Sequence, residues 1–121
     1  MAKILIVDDS MISRKKLRTI LEAANHEVVG ELGDGTEAVQ KYQDLSPDVV
    51  TMDITMPKMD GISVLKELMK HDPSARVVMI TALGKGDTIL EALNAGAKNY
   101  ITKPFADDQV AGAVEEALQS L

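Results

Sequence analysis

The sequence predicts an α/β fold, with a single doubly wound domain in which a parallel five-stranded sheet carries helices on both faces. Short apolar runs rich in β-branched residues alternate five times with segments of helical periodicity. Most of these runs are apolar throughout, which is typical of strands covered on both faces. The chain has 121 residues, of which 45% are hydrophobic. That length suits one domain with a substantial core, so we expect a single domain spanning 1–121.

The first half of the chain contains two predicted strand-helix units. Strand 3–7 is followed by Ser10, a residue type that caps helices well, and then by a helical pattern. The apolar face predicted for that first helix consists of Ile12, Leu17, Ile20 and Leu21. Strand 27–32 contains polar residues, as an edge strand does, and a helix from about 36 to 45 covers it.

The second half contains three further units. The run 49–52 lies between Ser-Pro and Met-Pro, which predicts a short buried strand. Gly96 is expected to end the fourth helix, because glycine readily takes the left-handed conformation found there. The predicted elements are strand 49–52, helix 62–69, strand 76–81, helix 87–95, strand 99–102 and helix 107–120.

Polar side chains stand where four of the predicted strands end. They are Asp8, Asp9, Asp53, Thr81 and Lys103. Each has a local explanation, since aspartate caps turns and acids suit the start of a helix. The carboxyl ends of parallel strands, however, share one edge of a sheet, where ligands bind. Convergence of three carboxylates, a hydroxyl and an ammonium at that edge therefore predicts a functional site.

Composition excludes several classes of function. The chain has no cysteine, so disulfides, thiolate catalysis and cysteine-ligated zinc are excluded. A net charge of −6 argues against nucleic acid as a partner, although Arg14, Lys15, Lys16 and Arg18 form a basic surface on the first helix. Neither a signal peptide nor a membrane-spanning run is recognisable, so a cytoplasmic location is expected.

In combination these motifs resemble the receiver domains of two-component response regulators, particularly the stand-alone chemotaxis type. The resemblance spans essentially the whole chain. It rests on the acidic pair at 8–9, Asp53 within Met-Asp-Ile-Thr-Met-Pro, Asp60-Gly61, Thr81-Ala82 and Lys103-Pro104-Phe105. It implies a flavodoxin-like (βα)5 fold with strand order 2-1-3-4-5.

The resemblance also implies a phosphorylation chemistry. Asp53 is then the phosphoacceptor, and Mg²⁺ is bound by Asp9, Asp53 and the backbone carbonyl of Thr55, with Asp8 acting through water. The ammonium of Lys103 and the dication offset the negative charge that builds up when a carboxylate attacks phosphorus. The expected donor is the phosphohistidine of a sensor histidine kinase, and small phosphodonors are expected to serve as well.

Further positions receive roles from the same resemblance. Thr81 and Tyr100 are expected to act as the switch that reports phosphorylation. Thr55 and Leu83 are expected to flank the path by which water reaches the phosphoryl group, and Leu83 can neither orient nor activate water. His26 and His71 lie in predicted turns and are not expected to be ligands or phosphorelay residues.

The expected output is phosphorylation-dependent binding to a protein, with a flagellar motor switch protein as the favoured target. The protein is expected to be a monomer that catalyses only its own phosphorylation and dephosphorylation. A phosphorelay intermediate passing its phosphoryl group to a histidine domain would carry nearly the same residues. An aspartyl-phosphate phosphatase enzyme would need a second aspartate at Thr55, and a flavin carrier would need a phosphate-binding loop where Asp8 and Asp9 stand.

Overall fold

The computed structural model describes residues 2–82 and 86–119, in which five strands alternate with five helices. All strands pair in parallel, in the order β2-β1-β3-β4-β5, so the predicted fold class and strand order are confirmed. The elements are β1 (Lys3–Val7), α1 (Met11–Ala23), β2 (Glu27–Leu32), α2 (Ala38–Leu45), β3 (Val49–Met52), α3 (Gly61–His71), β4 (Val77–Thr81), α4 (Gly86–Asn94), β5 (Asn99–Thr102) and α5 (Asp107–Gln119).

Two apolar cores lie on opposite faces of the sheet because successive strand residues point to opposite sides. In β1, Ile4 and Ile6 pack with α1 and α5, whereas Leu5 and Val7 pack with α2, α3 and α4. All four of these side chains are fully buried. The sheet is therefore a rigid layer between two helical layers, and the carboxyl ends of β1, β3, β4 and β5 meet along one rim.

Two capping residues predicted from the sequence, Ser10 and Gly96, are confirmed, and the structure adds a third, Asp60. The Ser10 hydroxyl accepts a hydrogen bond from the Ser13 amide at the start of α1. The Asp60 carboxylate accepts from the amides of Ile62 and Ser63 at the start of α3. Gly96 follows α4 with a φ of +114°, a value that suits glycine.

The clearest error concerns Ile12, which was expected on the buried face of α1 and is 81% exposed. Leu17, Ile20 and Leu21 are buried as expected. Ile12 and Leu21 are about two and a half turns apart at 3.6 residues per turn, which puts them on opposite sides of the helix. The prediction that Ile12 is buried was wrong because it used the apolar character of the residue and not its position around the helix.

Smaller differences affect element ends. The second helix begins at Ala38 rather than Thr36, because the amide and hydroxyl of Thr36 bond to the Asp34 carboxylate in a preceding turn. The fourth strand begins one residue later than expected, at Val77. The predicted end of the last helix, Ser120, lies outside the described residues. No helix in the described part of the chain combines the length and apolarity needed to cross a membrane.

Candidate functional site

Lys103 joins the ends of three strands at the rim of the sheet. Its ammonium donates to Asp8 Oδ2 at 2.8 Å and to Asp53 Oδ2 at 3.1 Å. Its backbone amide donates to the carbonyl of Thr81 at 2.8 Å, which anchors the residue beyond β5. Burial opposes the charged form, but the bonds to the two carboxylates outweigh it, so the pKa of Lys103 is raised. The ammonium is thus kept charged between the carboxylates.

Asp8 is buried and held from four directions. Its amide donates to the carbonyl of Leu32 at 2.9 Å, and its Oδ1 accepts from the Ser10 amide at 2.9 Å. Its Oδ2 accepts from Lys103, and its backbone carbonyl accepts from Arg14 Nη1 at 2.6 Å. Burial raises the pKa of Asp8, and the bonds from Lys103 and Ser10 offset part of that rise.

Asp53 follows β3 directly and is 5% exposed. Its amide donates to the Val7 carbonyl at 2.9 Å and so continues the pairing of β1 with β3. Its Oδ1 accepts a long hydrogen bond, 3.3 Å, from the amide of Thr55. With Oδ2 on Lys103, the carboxylate is oriented by two donors and keeps lone pairs available on Oδ1.

Three carboxylates form a cluster at this rim. Asp8, Asp9 and Asp53 each offer an oxygen, and these oxygens lie within 4.8 Å of one another. Asp9 is exposed whereas the other two are buried, so one side of the cluster faces solvent. Hard oxygen donors beside open solvent suit Mg²⁺, which keeps several water molecules when it binds to proteins. The residues present therefore fit the predicted ion.

The two residues expected to act as a switch lie behind the cluster. Thr81 ends β4, is fully buried and pairs with Thr102 of β5. Tyr100 pairs with Met79 of β4, and its side chain is half-buried against the core beneath α4. Burial, and after it the charge of Asp53, raises the pKa of the Tyr100 hydroxyl. Both residues therefore lie close to the strand ends that carry the site.

Among the remaining positions considered in the sequence, the structure describes Thr55 and His26. Thr55 is exposed in the loop after β3, with its amide directed at Asp53. Leu83 lies outside the described residues. His26 is buried and accepts a hydrogen bond from the Ala2 amide at 3.1 Å, far along the fold from the cluster. The structure therefore gives His26 a structural contact and brings Asp8, Asp9, Asp53 and Lys103 together.

Two residues at the site were not singled out by the sequence pattern. Arg14 was part of the basic surface of the first helix, yet it bonds to the Asp8 carbonyl and to Glu31. Arg14 follows Asp8 closely in the sequence, near the start of α1, and that closeness was the available signal. Gly61 was noted only as part of a motif, although its backbone lies directly against the Asp53 carbonyl.

Comparison with known proteins agrees with this geometry. The model of the response regulator receiver domain family matches residues 4–115. The chain is 47% identical to the chemotaxis protein CheY of Listeria monocytogenes over 117 residues, covering 97% of this chain and 98% of that one. It is likewise 47% identical to the chemotaxis protein CheY of Thermotoga maritima over 114 residues, covering 94% and 95%.

A solved structure shows the same relationship in three dimensions. The crystal structure of the CheX-CheY-BeF3-Mg complex from Borrelia burgdorferi contains a chain with a TM-score of 0.94 and 42% identity, covering 98% of this chain and 90% of that one. The family match extends over most of the sequence, and the fold and the acidic rim agree with it. The chain therefore belongs to the response regulator receiver domain family.

Proposed function

We propose that this protein is a phosphorylation-activated response regulator that accepts a phosphoryl group from a sensor histidine kinase on Asp53. The observation that carries the proposal is the position of Lys103 between Asp8 and Asp53, beside a cluster of three carboxylates. Family membership supports it independently.

The chemistry follows from the surroundings of Asp53. An Asp53 oxygen attacks the phosphorus atom, a new O–P bond forms, and the bond from phosphorus to the donor breaks as the donor leaves. Lys103 remains charged and stabilises the negative charge on the attacking carboxylate and the arriving oxygens. Mg²⁺ held by Asp9, Asp53 and the Thr55 carbonyl, with Asp8 acting through water, would supply further neutralisation of charge.

We assign the output to chemotaxis, through phosphorylation-dependent binding of a protein target such as a flagellar motor switch protein. Relatives named as chemotaxis proteins cover this chain almost from end to end and are themselves covered almost completely. The Borrelia burgdorferi relative is complexed with a protein, CheX, which supports a protein as the partner. We further propose that the kinase is of the chemotaxis type and that the protein acts as a monomer in the cytoplasm.

The response of the fold is assigned to Thr81 and Tyr100, and control of water access to Thr55 and Leu83. The ends of β4 and β5 carry the first pair, next to Lys103, which supports the assignment. Catalysis is confined to the protein's own phosphorylation and dephosphorylation. The phosphorelay and phosphatase alternatives are not favoured, the latter because Thr55 stands where a phosphatase of this type needs an aspartate.

The proposal is tested with acetyl phosphate as a small phosphodonor. The unchanged protein should gain the mass of one phosphoryl group in the presence of Mg²⁺ and none when Mg²⁺ is chelated. Asp53→Asn should gain none, because an amide lacks the nucleophilic oxygen. Asp48→Asn is the matched control, since Asp48 lies at the opposite end of the same strand and bonds to the Lys3 amide.

Labelling of Asp53→Asn as fast as the unchanged protein would overturn the assignment of the acceptor. Turnover of phosphate esters such as p-nitrophenyl phosphate at a steady rate would instead favour the phosphatase class.

A further inference from the structure

The side chain of Arg14 lies under the loop that carries the acidic pair. It emerges from the first turns of α1 and donates from Nη1 to the backbone carbonyl of Asp8 at 2.6 Å. Its Nε lies 3.4 Å from Glu31 Oε1 on β2, and the two side chains are 19% and 25% exposed. The guanidinium is thus fixed between β2 and the peptide that links Asp8 to Asp9.

That peptide determines where the Asp9 carboxylate lies. Among residues 2–82 and 86–119, the Asp9 side chain is exposed and makes no hydrogen bond or ion pair. Asp8, in contrast, is held through its amide and both carboxylate oxygens. Rotation of the shared peptide would move Asp9 while leaving the Asp8 carboxylate in place. The bond from Arg14 opposes that rotation, because it engages the carbonyl of the peptide itself.

We propose that Arg14 is a positioning residue for the carboxylate cluster, and that it holds Asp9 in the orientation that receives Mg²⁺. The inference rests on the proposed function, because it assumes that the cluster binds this ion. In the part of the chain that the structure describes, Arg14 makes no hydrogen bond or ion pair with the three clustered carboxylates and acts through the Asp8 carbonyl. An arginine suits the task because its planar group donates in fixed directions to two acceptors at once.

The sign of the effect distinguishes positioning from simple charge. A guanidinium near three carboxylates lowers their attraction for another cation, so removing its charge alone would tighten Mg²⁺ binding. Removing a group that orients a ligand weakens binding instead, typically by about 10–100-fold in metal sites. Positioning therefore predicts weaker binding after loss of Arg14, against the electrostatic trend.

Arg18 provides a matched control on the same helix. It bonds to the same acceptor, Glu31, and to Glu22, but not to Asp8. Arg14→Met and Arg18→Met both remove one positive charge and one contact with Glu31. Only the first removes the hydrogen bond to the peptide of the acidic pair.

The experiment measures the Mg²⁺ dissociation constant of the unphosphorylated full chain by calorimetry. Arg14→Met is expected to weaken binding by about tenfold, and Arg18→Met to change it by less than about twofold. In the Mg²⁺-free protein, the backbone amide resonance of Asp9 should shift in Arg14→Met and stay in place in Arg18→Met. Equal or tighter Mg²⁺ binding by Arg14→Met would overturn the inference, as would equal weakening in both variants.

Arg14→Lys serves if Arg14→Met does not fold. Lysine keeps the charge but cannot donate in two fixed directions, so Mg²⁺ binding several-fold weaker than that of the unchanged protein is expected. Unchanged affinity in this variant would overturn the inference. Absence of Mg²⁺ binding by the unchanged protein would overturn the proposed function and the inference with it. Equal Mg²⁺ affinities of Arg14→Met and Arg18→Met would overturn the inference alone.

Discussion

Gly61 lies against Asp53 so closely that a Cβ atom at residue 61 would overlap the Asp53 backbone carbonyl. The amide of Gly61 also donates to the Ile54 carbonyl at 2.8 Å, which ties the start of α3 to the end of β3. The absence of a side chain at residue 61 is therefore a condition for the position of the strand end that carries Asp53.

Gly61→Ala should lower the free energy of unfolding by about 1–3 kcal/mol, the usual cost of forcing atoms into a packed site. It should also slow phosphorylation by acetyl phosphate, because relief of the overlap displaces Asp53. Gly112→Ala is the control: Gly112 lies within α5 and a Cβ atom there meets nothing within 4 Å. That change should stabilise the protein by about 0.5–1 kcal/mol. Urea unfolding of both variants checks this, and equal effects would contradict it.

Asp8 should make the stability of the Mg²⁺-free protein depend on pH. Burial raises its folded-state pKa above the ordinary value of 3.8, so the folded protein binds more protons than the unfolded chain in the range just above pH 3.8. Stability therefore falls as pH rises through that range. Asp8→Asn lacks this contribution, so its stability relative to the unchanged protein should increase as pH rises from about 3.8 towards 7. Urea unfolding at several pH values gives the free energy of unfolding of Asp8→Asn minus that of the unchanged protein. A decrease in that value as pH rises would contradict the prediction.

Asp9 should be required for binding the ion and dispensable for folding. Asp9→Ala removes one of the three clustered carboxylates and should weaken Mg²⁺ binding strongly while blocking phosphorylation. Because Asp9 is exposed and its carboxylate is repelled by its neighbours, the Mg²⁺-free variant should be at least as stable as the unchanged protein. Glu37→Ala is the control, since that side chain makes no capping bond at α2. Unchanged Mg²⁺ affinity in Asp9→Ala would refute its assignment as a ligand.

The sequence pattern predicted the strands and the polar groups at the rim, because a strand buried on both faces and a carboxylate at its end are local signals. The order of the strands was predicted from the family resemblance. The pattern did not distinguish the contacts of Arg14 from those of the basic residues around it. The bond of Arg14 to the Asp8 carbonyl depends on how α1 is placed over β2, which is a tertiary relationship. The error at Ile12 had a different cause, because the helical period already places Ile12 opposite Leu21 and only its apolar character favoured the core.

The exposure of Ile12 gives a direct test of that correction. Ile12→Ser should change the free energy of unfolding by no more than about 0.5 kcal/mol, as surface substitutions do. Leu17→Ala, on the buried side of the same helix, should cost about 2–5 kcal/mol. Comparable losses in the two variants would mean that Ile12 is buried in solution.

Separate loss of signalling and of chemistry should follow from changes behind the carboxylate cluster. A phosphoryl group on Asp53 adds nearly two negative charges and three acceptor oxygens, which attract the Thr81 hydroxyl and the Lys103 ammonium. If Thr81 moves towards the phosphoryl group, it vacates space behind β4 into which the half-buried Tyr100 can rotate. The surface formed by α4, β5 and α5 then shifts between two states.

Thr81→Ala and Tyr100→Ala should therefore still accept a phosphoryl group from acetyl phosphate, since Asp53 and the carboxylate cluster remain. Lys103→Ala should accept it more slowly, because it lacks the ammonium that stabilises the negative charge on the attacking carboxylate. Each should bind the target protein little better in the activated state than in the resting state. The target is the protein captured from the native cell by the phosphorylated chain. The measurement is the affinity of each variant for that protein, with and without beryllium fluoride and Mg²⁺. Ile12→Ser is the control, because Ile12 lies on α1, which is not one of those three elements, and it should retain the full gain in affinity. A full gain in all three variants would show that the signal passes through other residues.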